Sequence, residues 1–145
     1  MTASMRLFLE REAELERQMD HMLKLIDLAF GETSALELEQ QLQKLVGLWR
    51  ACLVLRDHIV YSPASDGDDR SRALMAAACR ERMDVLAEEV EDYARSWSSS
   101  ALIATAKPRF RATAAVMVAA IAARLDGERR LLGERDYGIP ERMVA

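Results

Sequence analysis

Three charged residues sit where helical periodicity asks for apolar ones, with a fourth at the flank, and they are the strongest chemical signal in this chain. On the last long helical stretch, Phe110, Met117, Ile121 and Leu131 share one face, and Arg124 and Glu128 fall within about 20° of Met117 on that face at 100° per residue. On an earlier stretch Arg56 lies within about 20° of Trp49, with Asp57 at the flank, about 80° away. A charge taken out of water costs several kcal/mol, so each must be paired or coordinated. The candidate core cluster is therefore Arg56, Asp57, Arg124 and Glu128. The chain has two histidines: His21, at a boundary position about 120° from its stripe, and His58, about 180° from Trp49.

The elements that must carry these residues are helices. Half of the 145 residues are apolar and 30% are charged, with six glycines and three prolines, which suits a soluble α-rich chain long enough for a core without staples. Four helical segments follow from the 3.6-residue period. The first covers residues 4–29, with Phe8, Leu15, Met19, Met22 and Ile26 on its stripe and Gly31 as its stop. The second opens on the capping box Ser34-Ala35-Leu36-Glu37, carries Leu38, Leu42, Leu45, Trp49, Cys52 or Leu53, and Val60, and is expected to end at Pro63. After the polar turn at 65–69, the third covers 70–97, with Met75, Cys79, Met83, Leu86, Val90, Tyr93 and Trp97 on one face. Ser98, Ser99 and Ser100 read as a loop. The fourth starts at 105–108, with Pro108 in its first turn, and runs to about 132, followed by a short non-helical tail over about 133–145.

Helices of about 25 residues are roughly 37 Å long. With short connections they pack most simply as a single all-α domain over 1–145, an up-down-up-down antiparallel four-helix bundle. In that arrangement the end of the second helix lies level with the end of the fourth, which brings Asp57, Arg124 and Glu128 to similar depth, with His21 entering from the first helix. Two explanations stand: a satisfied ion-pair cluster with arginines snorkelling outward, or a binding site built into the core.

Composition excludes several functions. A net charge of −4 without a concentrated basic surface argues against nucleic acid. The longest low-charge stretch, 110–123, contains Arg111 and is too short to span a bilayer; no signal peptide opens the chain, and the expected compartment is the cytoplasm. Cys52 and Cys79 fall on apolar faces and read as buried thiols. No phosphate loop or nucleophile elbow is present, so no enzymatic activity is expected. Met5, Leu7, Phe8 and Leu9 give the first helix apolar residues on several sides, which serve either to cap the bundle or to contact a homodimer or other protein partner.

The pattern resembles the hemerythrin-like (HHE cation-binding) family. Met19-Asp20-His21-Met22 resembles the family's acid-histidine context on helix one. The run from Leu53 to Asp57, followed by Tyr61-Ser62-Pro63, resembles the His-x-x-x-Glu motif that closes toward Tyr-Pro, with Asp57 at the acid and Leu53 at the histidine. Phe110, Arg124 and Glu128 resemble the second such motif, with Glu128 at the acid and Arg124 replacing the histidine; helix three offers Arg82 and Met83 where a histidine is expected. The resemblance implies a bundle built for two non-haem irons that bind oxygen or respond to redox state or nitric oxide. With only His21, Asp57 and Glu128 retained, the expectation is a degenerate site without metal, in which arginine–carboxylate pairing replaces the metal cluster in a sensing, regulatory or protein-interaction module. A reduced iron site of His21, Asp57 and Glu128 is the alternative. A third reading is a small-anion site built on Arg56 and Arg124.

Overall fold

The computed structural model of the protein describes residues 2–27 and 33–137, the side chains of 132–137 excepted. Among these residues every regular element is helical: α1 (Ala3–Asp27), α2 (Ala35–Arg56), a π-helical turn (Asp57–Tyr61), α3 (Ser62–Asp66), α4 (Arg70–Ser96), α5 (Ser100–Thr105) and α6 (Lys107–Tyr137). None of the described helices is long and apolar enough to cross a membrane.

The helix starts follow local chemistry. Ser34 Oγ accepts from the Glu37 backbone N–H at 3.1 Å, and its hydroxyl donates to Glu37 Oε1 at 3.3 Å. Asp69 Oδ1 accepts from Arg72 N–H at 3.1 Å, and Ser99 Oγ from Leu102 N–H at 3.2 Å. Each cap satisfies a donor that the first helical turn leaves without a partner. Ser99 is thus a helix start rather than part of a plain loop, and the short α5 buries Ile103.

The ends differ more from expectation. Pro63 does not stop the second helix, which passes through the π turn and continues to Asp66. A proline ring clashes with the carbonyl four residues back, and a turn closed five residues apart gives it room; the Ser62 N–H bonds to the Asp57 carbonyl across that wider turn. Gly133 does not stop α6, which runs to Tyr137, so the expected non-helical tail is helical over 133–137. A glycine costs a helix only about 1 kcal/mol and ends it only where another conformation is favoured. The expected stop at Gly31 and the tail over 138–145 lie outside the described residues.

α1 packs along α2 and against α6, α4 packs against α6 and α2, and α5 rests on α2. The buried faces are Phe8 to Ile26 of α1, Leu38 to Cys52 of α2, Ala76 to Val90 of α4 and Phe110 to Leu125 of α6. Burying side chains of this size contributes about 1.5–3 kcal/mol each. Cys52 and Cys79 are both free and buried. Polar ties set the register: Gln41 Nε2 donates to Gln18 Oε1 at 2.9 Å between α2 and α1, and Arg50 grips Glu91 of α4 through two 2.6 Å bonds. The Arg111 guanidinium donates to the Ile26 carbonyl, placing a cation at the negative end of α1.

Candidate functional site

Among the described residues the buried charged side chains, Glu12 and Glu128, converge on Arg56. Its side chain is 1% exposed, and it lies between Glu12 of α1 and Glu128 of α6, which are 2% and 1% exposed. Nη1 donates to Glu128 Oε1 at 2.7 Å, Nη2 is bonded to Glu12 Oε1, and the guanidinium carbon stands 5.5 Å from the centre of the Phe8 ring. The Tyr61 hydroxyl is 2.6 Å and 2.8 Å from the two oxygens of Glu128, to which it donates. Arg129 reaches in from α6 to the other oxygen of Glu12 at 3.0 Å, and holds the more exposed Glu16 at 2.8 Å. All four oxygens of the two buried carboxylates are thereby bonded. Two acids face two arginines, which is the balance a buried charge cluster requires.

The π turn assembles this site. In an unbroken α-helix, position 61 would point about 140° away from position 56. A turn closed over five residues stacks the two instead, so Tyr61 lies beside Arg56 and above Glu128, where it is buried. Asp57, one helical step of about 100° past Arg56, stays outside. Its side chain is 53% exposed and pairs with Arg80 of α4 at 2.6 Å. Arg80 in turn covers the outer face of the Tyr61 ring, 5.6 Å from its centre.

Burial and the Glu128 carboxylate together push the Tyr61 phenol far above its usual range, so it stays a donor. Burial, with the Glu12 charge behind it, pushes the Cys52 thiol up to about 12, which makes it an inert core residue. Arg129 is held above its ordinary value: burial works against its charge, and the Glu12 and Glu16 carboxylates outweigh burial.

The expected cluster of Arg56, Asp57, Arg124 and Glu128 is therefore brought together only in part. Arg56 and Glu128 meet; Asp57 faces outward, and Arg124 is half-buried, with no ion pair to Asp57 or Glu128. The reason lies in α6, where Ala114, Val118 and Leu125 are buried and Leu131 is 49% exposed. These residues turn the inward face toward Leu125, so that Arg124 sits about 65° from its centre and Glu128 about 25°. His21 is exposed on the surface of α1 beside Arg17, Lys24 and Lys44, about 13 Å further along the helix than Glu12. His58 is exposed as well. His21, Asp57 and Glu128 thus do not share a site, and Arg56 and Arg124 do not form a common anion cradle.

Three members of the site, Glu12, Tyr61 and Arg129, are not among the residues expected from the sequence. Glu12 occupies the stripe between Phe8 and Leu15, four residues after one and three before the other, which is a signal that periodicity does carry. Tyr61 has no such signal, because only the π turn brings it inward.

The donor set does not fit a pair of irons. The guanidinium of Arg56 fills the space between the two buried acids, and neither histidine faces them. Among the described residues no three His, Cys, Asp or Glu side chains come together to hold a metal ion. No family model matches this chain, and no curated protein or solved structure matches it either.

Proposed function

We propose that this protein is a hemerythrin-like, up-down-up-down four-helix bundle in which an arginine–carboxylate cluster has taken the place of the di-iron site, and that it works without metal as a sensing or protein-interaction module rather than as an enzyme. One observation carries this reading: Arg56, almost completely buried, bridges acids from α1 and α6 within the helical core. A guanidinium there supplies the positive charge and the directed donors that a metal would otherwise supply to two facing carboxylates. Within the cluster Tyr61 is held neutral and each carboxylate oxygen of Glu12 and Glu128 is bonded, which is the support for a non-catalytic role.

The test is metal content by mass spectrometry on protein purified without chelator, with a visible spectrum recorded in air. Metal well below one equivalent and a featureless spectrum are expected. Near-stoichiometric iron with oxo-bridge absorption would overturn the proposal and restore an oxygen- or redox-responsive centre.

A further inference from the structure

The outward side of α6 has no described partner. Between Arg111 and Arg124 the helix carries no charge, and Thr113 is its one hydroxyl. Its inner side is core, yet Ala112, Val116, Ala119 and Ala123 remain exposed, Val116 to 71%. Beside them runs a mostly apolar groove between α4 and α6, lined by Leu86, Val90, Tyr93, Val116, Met117 and Ala120. Directly before Leu86 on α4, Val85 is 55% exposed.

The spacing of the exposed positions reads the same in both directions. Residues 112, 116, 119 and 123 follow the four-three-four step of a helix-pairing seam, and the seam is closed by Arg109 at one end and Asp126 at the other, both exposed. When two copies of such a helix lie antiparallel about an axis passing between Met117 and Val118, each residue meets the one equally far from that axis. Ala112 then faces Ala123, Val116 faces Ala119, and Arg109 faces Asp126, twice over. Opposite charges at mirrored positions are what a self-complementary interface requires. Arg109 pairs with no described acid within its own chain, and Asp126 holds only the exposed Arg130 one turn on, at 2.8 Å.

We infer that α6, with the adjoining flank of α4, is a self-association surface that pairs antiparallel with a second copy of this chain. Small side chains let the two helix axes approach to about 8 Å, and the valines fill the space between them. A strip about 25 Å long and about 10 Å wide presents on the order of 250 Å2 in projection, well under the roughly 800 Å2 per partner of a standard interface. The groove and Val85 must therefore join the contact, and the dimer is expected to be of modest affinity. The inference does not depend on whether the core binds metal.

Sedimentation of the full chain over a concentration series tests it. Wild type is expected to form dimers reversibly. Val116→Glu, at an exposed position, should weaken dimerisation more than about tenfold by burying like charges near the axis. Arg109→Asp and Asp126→Arg should each weaken it about tenfold, and the double exchange R109D/D126R should restore it, because the pairing is then reversed rather than lost. Circular dichroism of each variant checks that the helices persist. A chain monomeric up to about 1 mM, a dimer indifferent to Val116→Glu, or a double exchange no tighter than the single ones would each overturn the inference.

Discussion

α6 carries two cores that hold together by different physics. Around Phe110 the rings of Tyr93, Trp97 and Phe110 lie 5.4–6.4 Å apart, with Trp97 edge-on to Phe110. About 27 Å further along the same helix, Glu128 meets Arg56, Tyr61 and, through Arg56, Glu12. The aromatic group gains stability from area and shape, so it loses it in proportion to what is removed. The charged group is a matched set in which every member satisfies another, and its stability depends on completeness. The two tyrosines show the difference. Burial alone pushes the Tyr93 phenol up to about 12, whereas Tyr61 is pushed further because a buried carboxylate accepts its proton-bearing bond.

The largest effect should come from making the charged set incomplete. Arg56→Met leaves Glu12 and Glu128 buried without their shared cation and is expected to cost about 3–5 kcal/mol or to prevent folding. Phe110→Ala, on the aromatic side, should cost about 3 kcal/mol as transfer plus cavity. Urea unfolding separates them through a second step: E12Q/R56M/E128Q, which removes the three fully buried charges and leaves Arg129 paired with Glu16, should recover much of the Arg56→Met loss. Nothing comparable repairs Phe110→Ala without refilling the space. If the triple variant is as unstable as Arg56→Met, the cluster is not a balanced unit and the contrast fails.

These two regions were also unequally legible in the sequence. The aromatic side follows from helical spacing alone, with Phe110 on its stripe and Tyr93 and Trp97 on theirs. The capping box at Ser34 and the start at Arg70 were legible because they rest on local hydrogen bonds. The charged side was legible only in Arg56 and Glu128. Tyr61 depends on a π turn, and periodicity drawn at 100° per residue misplaces the side chains beyond it. Spacing places Arg124 inward only when Leu131 counts as core, and Leu131, 49% exposed, pulls the apparent face of α6 away from Leu125. Glu12 is hard to read because a carboxylate in a stripe looks like a break in it.

A smaller change sharpens the contrast between the tyrosines. Tyr61→Phe removes a donor to both oxygens of Glu128 and should cost about 1–3 kcal/mol near neutral pH. The pH dependence gives a second readout. A phenol whose folded value lies above its ordinary value of 10 contributes stability that is complete below that pH and is lost as pH rises toward the folded value, at up to about 1.4 kcal/mol per unit. Wild type should therefore lose stability above pH 10 more steeply than Tyr61→Phe does. Tyr93→Phe should also flatten the alkaline limb, but only up to about pH 12, where the Tyr93 contribution ends. Identical alkaline slopes in wild type and Tyr61→Phe would mean that Tyr61 is not the buried donor described.

The smallest effect is expected at the residue next to the largest. Asp57 follows Arg56 directly, yet one helical step of 100° separates core from solvent. Its partner Arg80 is 36% exposed and Asp57 itself 53%, so their pair is screened by water. Asp57→Asn should shift stability by less than about 1 kcal/mol. The measurable consequence lies in salt dependence, because a water-exposed pair weakens with ionic strength while a buried one does not. Raising salt should erase the difference between wild type and Asp57→Asn but leave the Arg56→Met deficit in place. A deficit for Asp57→Asn that is large and insensitive to salt would put Asp57 inside the charged set, and the boundary drawn after Arg56 would then have to move one residue outward.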